Sequence, residues 1–420
     1  MFENIIAQEG VVEELKTGLA RGDLPPALLF HGPDYSGKLS TALELARVTG
    51  CSAPNPADRG GWNCPCRDCE QHRTLHHPYT LTLGGRYFAA EIEASRRAFV
   101  ESPRRSTAYL FVRSLRKLLR RFDGVFWEGR ETGFKQAAAG LAEVEEGLGI
   151  FYPPSLSRGG EAGENYRELI KTHGALLDRI AAAARDAASL RACDNISIDQ
   201  VRRISSWVQL SSGDFKTIIL ENADSMLIPA QNALLKILED PPAGCRFILL
   251  TPRRRRILPT ILSRLRPLRF AERTGAQGRE ITDRIFHHPW EGSLKDFFLS
   301  ASSGFSLETF RKASGDFVED FLNRRSPDRG TLSFLAEKNQ KENRRLFKIF
   351  LTQVEEELYR RFPPPQPAWV YQVLVKAGAC LREALSQEEL ANQNPLLLAE
   401  GLGYDLRSLC RELSSGTGLN

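Results

Sequence analysis

The rhythm of apolar and polar positions changes several times along the 420 residues. Leu24 to Gly32 is an apolar run entered through Pro25 and Pro26, and beyond Gly37 the residues Leu39, Ala42, Leu43 and Ala46 recur at helical spacing. That order predicts a strand, a glycine loop and a helix. Short β-branched or aromatic runs recur at Thr217 to Leu220 in "FKTIILENAD" and at Phe247 to Thr251 in "CRFILLTP", with a helical stretch between them. Strands alternating with helices predict a mostly parallel α/β sheet. In "NISIDQVRRI", Ser197 stands three residues before Gln200, the pattern of a capping box, and opens a helix with Val201 and Ile204 on one face.

From about 84 to 191 strand signals fade. A basic amphipathic helix carries Leu110, Phe111, Leu115, Leu118, Leu119 and Phe122 on its apolar side, a loop is expected at "IFYPPSLSRGGEAGEN", and an Ala-rich helix runs from Tyr166 to Leu190. This segment reads as a helical insertion that interrupts the α/β domain. Beyond Phe270 the chain is helical with loops, and "RRFPPPQPAW" marks a turn between helices. No internal repeat is visible. No run of 18 apolar residues occurs, so no membrane span is expected. The start "MFENIIAQEG" lacks the features of a secretory signal, and the expected compartment is the cytoplasm.

Lys and Arg number 57 against 52 Asp and Glu, a net +5 that does not by itself argue for nucleic acid. The distribution is more pointed. Arg96 to Arg121 holds nine basic residues against one acid, Glu101, and Arg253 to Arg256 is an unbroken run of arginine. Each stretch has two readings, a surface for DNA phosphates or the solvated side of a helix or loop.

The candidate chemistry sits in the glycine loop and the cysteines. "GPDYSGK" places Gly32, Gly37 and Lys38 so that backbone N–H groups and an ammonium could cradle phosphates at a helix start. The hydroxyl that would follow and hold Mg²⁺ is replaced by Leu39, and Ser40, one residue on, is rotated by about 100° around the helix. The bland alternative is an ordinary strand-to-helix turn. The second apolar run ends in Glu221, which could reach a metal, and Asn222, which cannot act as a base. Two altered catalytic positions point away from hydrolysis. Four of the eight cysteines, Cys51, Cys64, Cys66 and Cys69, have the spacing C-x12-C-x-C-x2-C, which suits a closed structural zinc site; the alternative is that one of them is a free core thiol.

The motifs "GPDYSGK", the four-cysteine knuckle, "HRTLHHPY", "ISIDQVRRI", "NALLKILEDPP", "ILPTILSRL" and "NQNPLLLAEGLGYDLR" follow one another in an order that resembles the AAA+ subunits of the bacterial DNA polymerase III clamp loader. Within that family the delta-prime type is most similar. The likeness covers roughly 1–83 and 193–270 well and the C-terminal third weakly, with the insertion outside it. It implies an AAA+ P-loop α/β domain over 1–270, with a zinc knuckle at 51–69 and the insertion at about 84–191. A helical lid over 271–328 and an all-α collar domain over 329–420 would follow. Thr251 would be the sensor of the family, and Leu307 would stand where hydrolysing relatives carry a lid arginine. Arg264, in "SRL", would reach a neighbouring subunit's ATP. The implied role is a stator-like subunit that helps load the sliding clamp on primed DNA with gamma/tau and delta partners in a hetero-oligomer, without hydrolysing ATP itself. Whether ATP still occupies the loop is left open. The rival readings are an active gamma/tau-type motor and a stand-alone nucleic-acid-binding zinc protein.

Overall fold

In the computed structural model, residues 1–55, 59–127, 131–151, 163–188, 195–210, 215–303, 305–337, 340–391 and 393–416 are described. They form two compact units, Met1–Ser302 and Ser303–Asn420.

The first unit is built on a five-stranded, all-parallel sheet. Its strands are β1 (Ala27–His31), β2 (Thr80–Leu83), β3 (Lys216–Leu220), β4 (Cys245–Thr251) and β5 (Arg266–Arg269), arranged in the order β2-β3-β4-β1-β5. This is the AAA+ α/β architecture expected. The pairings Phe30↔Leu250 and Leu220↔Leu249 bring the ends of β1, β3 and β4 to one edge, where an open α/β sheet places its ligand site. β3 and β4 are buried along their whole length, as their apolar runs require. β2 and β5 were not among the expected strands; both are only four residues long.

Helices α1 (Glu9–Arg21) and α2 (Lys38–Thr49) flank β1, and α3 (Arg67–Arg73) follows the cysteines. The insertion has helices and no strand among its described residues: α4 (Phe88–Glu101), α5 (Arg105–Leu119), α6 (Gly124–Trp127), α7 (Glu131–Phe151) and α8 (Gly163–Ala188). The loop expected at 150–165 falls mostly outside the described residues. Phe99, Phe111, Phe151 and Tyr166 fill the insertion's interior, which is continuous with Leu81, Leu83, Ile218 and Leu220 of the sheet. The insertion therefore shares a core with the α/β domain rather than hanging from it.

Return to the sheet runs through α9 (Ile198–Gln209), whose capping box is formed as expected: Gln200 N–H donates to Ser197 Oγ at 3.3 Å, and Ser197 N–H to Gln200 Oε1 at 2.9 Å. Then come α10 (Ile228–Glu239), α11 (Pro259–Leu262), α12 (Gly275–Ile281) and α13 (Leu294–Ser303). Ile281, Phe286, Leu294, Phe297 and Phe298 pack on Ala90, Ala94 and Ala98 of α4. That packing puts the start of the expected lid, residues 271–328, in the first unit, and the boundary between units falls inside it.

The second unit comprises α14 (Leu307–Leu322), α15 (Arg329–Leu332), α16 (Gln340–Arg361), α17 (Ala368–Ala391) and α18 (Pro395–Gly416). Phe317 and Phe350 meet at 5.2 Å between ring centroids in its core, and "RRFPPPQPAW" is the turn between α16 and α17 as expected. No helix among the described residues is long and apolar enough to cross a membrane.

Gly84 ends β2 with φ +102°, and a Cβ there would overlap the Glu221 carbonyl oxygen. Gly84→Ala is expected to destabilise the first unit by about 2 kcal/mol or more, because side-chain strain and backbone overlap add at one position. Differential scanning calorimetry would show this as a lower Tm for one transition, with the second unit's transition unchanged.

Candidate functional site

The loop between β1 and α2 has phosphate-loop form. Gly32 (φ +150°) and Gly37 (φ +95°) adopt backbone conformations that suit glycine, and a Cβ at Gly37 would lie 2.6 Å from Arg273 Nη2. Lys38, the loop's cation, donates from Nζ to Gly32 O at 2.6 Å and to Pro33 O. Burial first, and nearby Arg86 after it, pull this ammonium down to about 8 despite the attraction of Asp34. Leu39 is buried and Ser40 is exposed at the rim of the cleft.

Opposite the loop, Glu221 at the end of β3 is buried, with both carboxylate oxygens engaged. Arg86 Nη1 donates to Oε2 at 2.9 Å, and Arg121 Nη2 donates to Oε1. Arg86 also donates from Nε to Glu91 Oε2 at 2.7 Å, while Lys117 donates to Glu91 Oε1. Burial would raise the Glu91 carboxyl, yet Arg86 and Lys117 hold it down at about 2. Asn222 takes a left-handed backbone (φ 47°) and donates from Nδ2 to Gly85 O at 2.9 Å. Thr251 is fully buried and donates to Asp224 Oδ1 at 2.8 Å, while Arg253 Nε donates to Asp224 Oδ2 at 2.7 Å. Aromatic rings cover the loop: Tyr35 lies 4.3 Å from Tyr87 and 5.2 Å from Phe298, centroid to centroid. Gly37, Lys38, Ser40, Glu221 and Asn222 thus line one cleft, and Gly32 joins them through its carbonyl, which accepts from Lys38.

Sequence reasoning missed the groups that line this cleft, Tyr35, Arg86, Tyr87, Glu91, Lys117 and Arg273, and Arg121 and Asp224, which bond to Glu221 and Thr251. Arg86 stands three residues beyond β2, at the ligand edge of the parallel sheet, a signal that could be used only once β2 was known.

From Arg113 to Arg121 the basic stretch 96–121 faces the protein, whereas Arg97, Arg104 and Arg105 are exposed. Arg113 and Tyr109 donate to Arg73 O, Arg116 to Thr74 O at 2.8 Å, and Arg120 to His77 O at 2.9 Å and to Thr80 O. These cations face the protein because the carbonyls after α3 and at β2 face them. Arg254, Arg255 and Arg256 are exposed in a short turn. Arg264 follows α11 and pairs locally with Glu239 while donating to Thr260 O. Leu307 belongs to the second unit, buried in the first turn of α14.

The four cysteines converge. Their Sγ atoms all lie within 4.8 Å of one another, with Cys51 at 3.7 Å from Cys64 and 3.8 Å from Cys66. A tetrahedron with Zn–S bonds of about 2.3 Å has edges of about 3.8 Å, so this donor set fits zinc. Burial tends to raise the Cys66 thiol, but the Cys69 N–H donating at 3.4 Å and the neighbouring thiols bring it down to about 6. Arg47 Nη1 donates to Cys69 Sγ at 3.3 Å and to Gly61 O, and the same guanidinium pairs with Glu44. With four protein ligands and none left open, a bound zinc would supply cross-linking, not catalysis.

Residues 168–274 match the family described as DNA polymerase III, delta subunit. The match begins inside α8, so the last helix of the insertion lies within the region of likeness rather than outside it. Over 150 residues the chain is 34% identical to DNA polymerase III subunit tau of Bacillus subtilis, which covers 33% of this chain and 27% of that one. It is 41% identical over 71 residues to subunit delta' of Pseudomonas aeruginosa, covering 16% and 22%. It is 34% identical over 109 residues to replication factor C subunit 3 of Blastobotrys adeninivorans, covering 26% and 28%. Parts of the chain are thus similar to DNA polymerase III and replication factor C subunits. Each match spans roughly a quarter of the relative concerned.

Metal analysis of the purified chain is expected to find about one zinc per chain. Cys69→Ser should lose the metal, and chelation should lower the Tm of the first unit.

Proposed function

We propose that the chain is a delta-prime-like subunit of a replicative clamp loader, which helps place the sliding clamp on primed DNA without hydrolysing ATP itself. The observation that carries this reading is the filled pocket: Lys38 is turned onto its own loop and both Glu221 oxygens are held by arginines. Position 39 offers no hydroxyl for a metal, and Asn222 offers no base. Arg264, outside that pocket, serves as the arginine that acts on a neighbouring subunit's nucleotide, where a trans arginine is worth ~10³–10⁵ in rate. Thr251 then keeps a structural place beside Asp224. Residues 271–328 act as the lid and the helices of 329–420 as the collar that joins gamma/tau-type and delta-type partners in a cytoplasmic hetero-oligomer, with zinc as a structural ion.

The 150-residue likeness to a tau subunit favours a second reading, an ATPase motor of the same loader. A steady-state assay separates the two. The isolated chain is expected to show no Mg²⁺-dependent ATP turnover, and Leu39→Thr is expected to create none; turnover abolished by Lys38→Ala would favour the motor. A stand-alone nucleic-acid-binding role is left with Arg254–Arg256 as its main exposed basic run, and salt-dependent DNA binding by the isolated chain would support it.

In the reconstituted complex, Arg264→Ala is expected to leave assembly intact and to lower the DNA- and clamp-stimulated ATPase about tenfold or more at the interface concerned. An unchanged rate in a fully assembled mutant complex would refute the role.

A further inference from the structure

The pocket's residues do not fit a metal-bound nucleotide. A buried Leu39 replaces the hydroxyl, Glu221 has no free oxygen, and Lys38 is bonded to Gly32 O and Pro33 O. The space that remains is about 160 Å³. Pockets for ligands of nucleotide size are roughly 300–1,000 Å³.

Most of the charge that stands in the ligand's place comes from a single segment. Arg86, Glu91, Lys117 and Arg121 all belong to the insertion, and Tyr87 stacks from it onto Tyr35 of the loop. The insertion also grips the far side of the cleft. Ser106 Oγ lies 3.1 Å from His287 Nε2, Glu101 Oε2 lies 3.1 Å from His288 Nδ1, and α4 packs on Phe286, Phe297 and Phe298. From that side Arg273 reaches back, donating from Nη1 to Tyr35 O and from Nη2 to Ile6 O at 3.2 Å.

We propose that the insertion is a built-in occupant of the nucleotide pocket: Arg86, Lys117 and Arg121 give Glu221 and Glu91 the positive charge a bound metal would give, and the insertion clasps the loop to residues 273–298 with no ligand. This rests on reading the chain as a non-hydrolysing subunit. It assigns the insertion a task, holding this domain permanently in one state.

The test uses the full chain. Wild type titrated with ATP and Mg²⁺ is expected to give no saturable heat of binding and no rise in Tm; saturable binding with a rise in Tm would overturn the proposal. Arg86→Met is expected to lower the Tm of the first unit by about 6 °C or more, since it removes one of the two cations that each of two buried carboxylates has. In the same variant, amides of 281–298 should lose protection from hydrogen exchange while 307–416 keep theirs, and Arg86→Lys should recover part of the loss. An Arg86→Met chain as stable as wild type, or one that loses protection evenly throughout, would overturn it. Should Arg86→Met fail to fold, Arg86→Lys and the wild-type titration decide. These measurements need no partner subunit, so their failure leaves the Arg264 test standing, and failure of that test leaves these intact.

Discussion

A carboxylate buried at the carboxyl end of a parallel strand must be matched by positive charge, and the match made to Glu221 organises the first unit. β3 is buried on both faces, so its last residues have no route to water. The acid is satisfied by Arg86, from the segment leaving β2, and by Arg121, from the end of α5. Those two positions are 35 residues apart in sequence. Bringing both to one carboxylate fixes where the insertion begins, how α5 lies across β2, and which way Tyr87 points. Gly84 completes the arrangement, since its carbonyl accepts from Arg121 Nε at 3.0 Å while the absent Cβ lets Glu221's backbone pass.

The same helix serves as a row of donors along the knuckle's exit. Arg113 and Arg116 of α5 and Arg120, its C-cap, recur at three- and four-residue spacing, so they share one face. The carbonyls of Arg73, Thr74, His77 and Thr80 accept from that face. These include the last carbonyls of α3, which have no partner within their own helix. Arg47 does a comparable task from α2, joining Glu44, the Gly60 and Gly61 carbonyls and the Cys69 sulfur. The phosphate loop, at the start of α2, is thereby tied to the cysteine knuckle at its end. A metal held there would stiffen the loop's helix through contacts already made.

What the sequence disclosed was local. The β1 loop and α2, the runs of β3 and β4, the capping box at Ser197 and the cysteine set all follow from spacing within a short window, and each is found as expected. β5, "RPLR", buries chiefly Leu268 and contains a proline, so nothing in its composition marks a strand; pairing with β1 makes it one. β2 is four residues behind a histidine- and proline-rich stretch, and gains its identity from β3. The basic helix was legible as a helix, and its apolar face was legible too. Its other face was not, because periodicity gives the angle of a side chain and says nothing about carbonyls some 40 residues earlier in the chain. The site divides in the same way: the loop, acid and cysteines were visible, while the cations that complete them arrive from elsewhere.

Charge placement finally separates what this domain keeps closed from what it leaves available. Arg121 is almost completely buried against Glu221, and an ion pair so placed costs roughly 3–5 kcal/mol to break from one side, because the partner is left charged without water. Arg264 also has an acidic partner, but Glu239 is about half exposed. A pair of that kind is worth ~0–1 kcal/mol, since water replaces either partner readily. An incoming anion could take the Arg264 guanidinium from Glu239 at little cost, whereas nothing short of rearranging the core could take Arg121 from Glu221. A fork of donors held so lightly at the surface is suited to a phosphate presented from outside. The two arginines thus differ by several kcal/mol in availability, a difference that the proposed reading of a subunit closed to its own nucleotide and open towards another's requires.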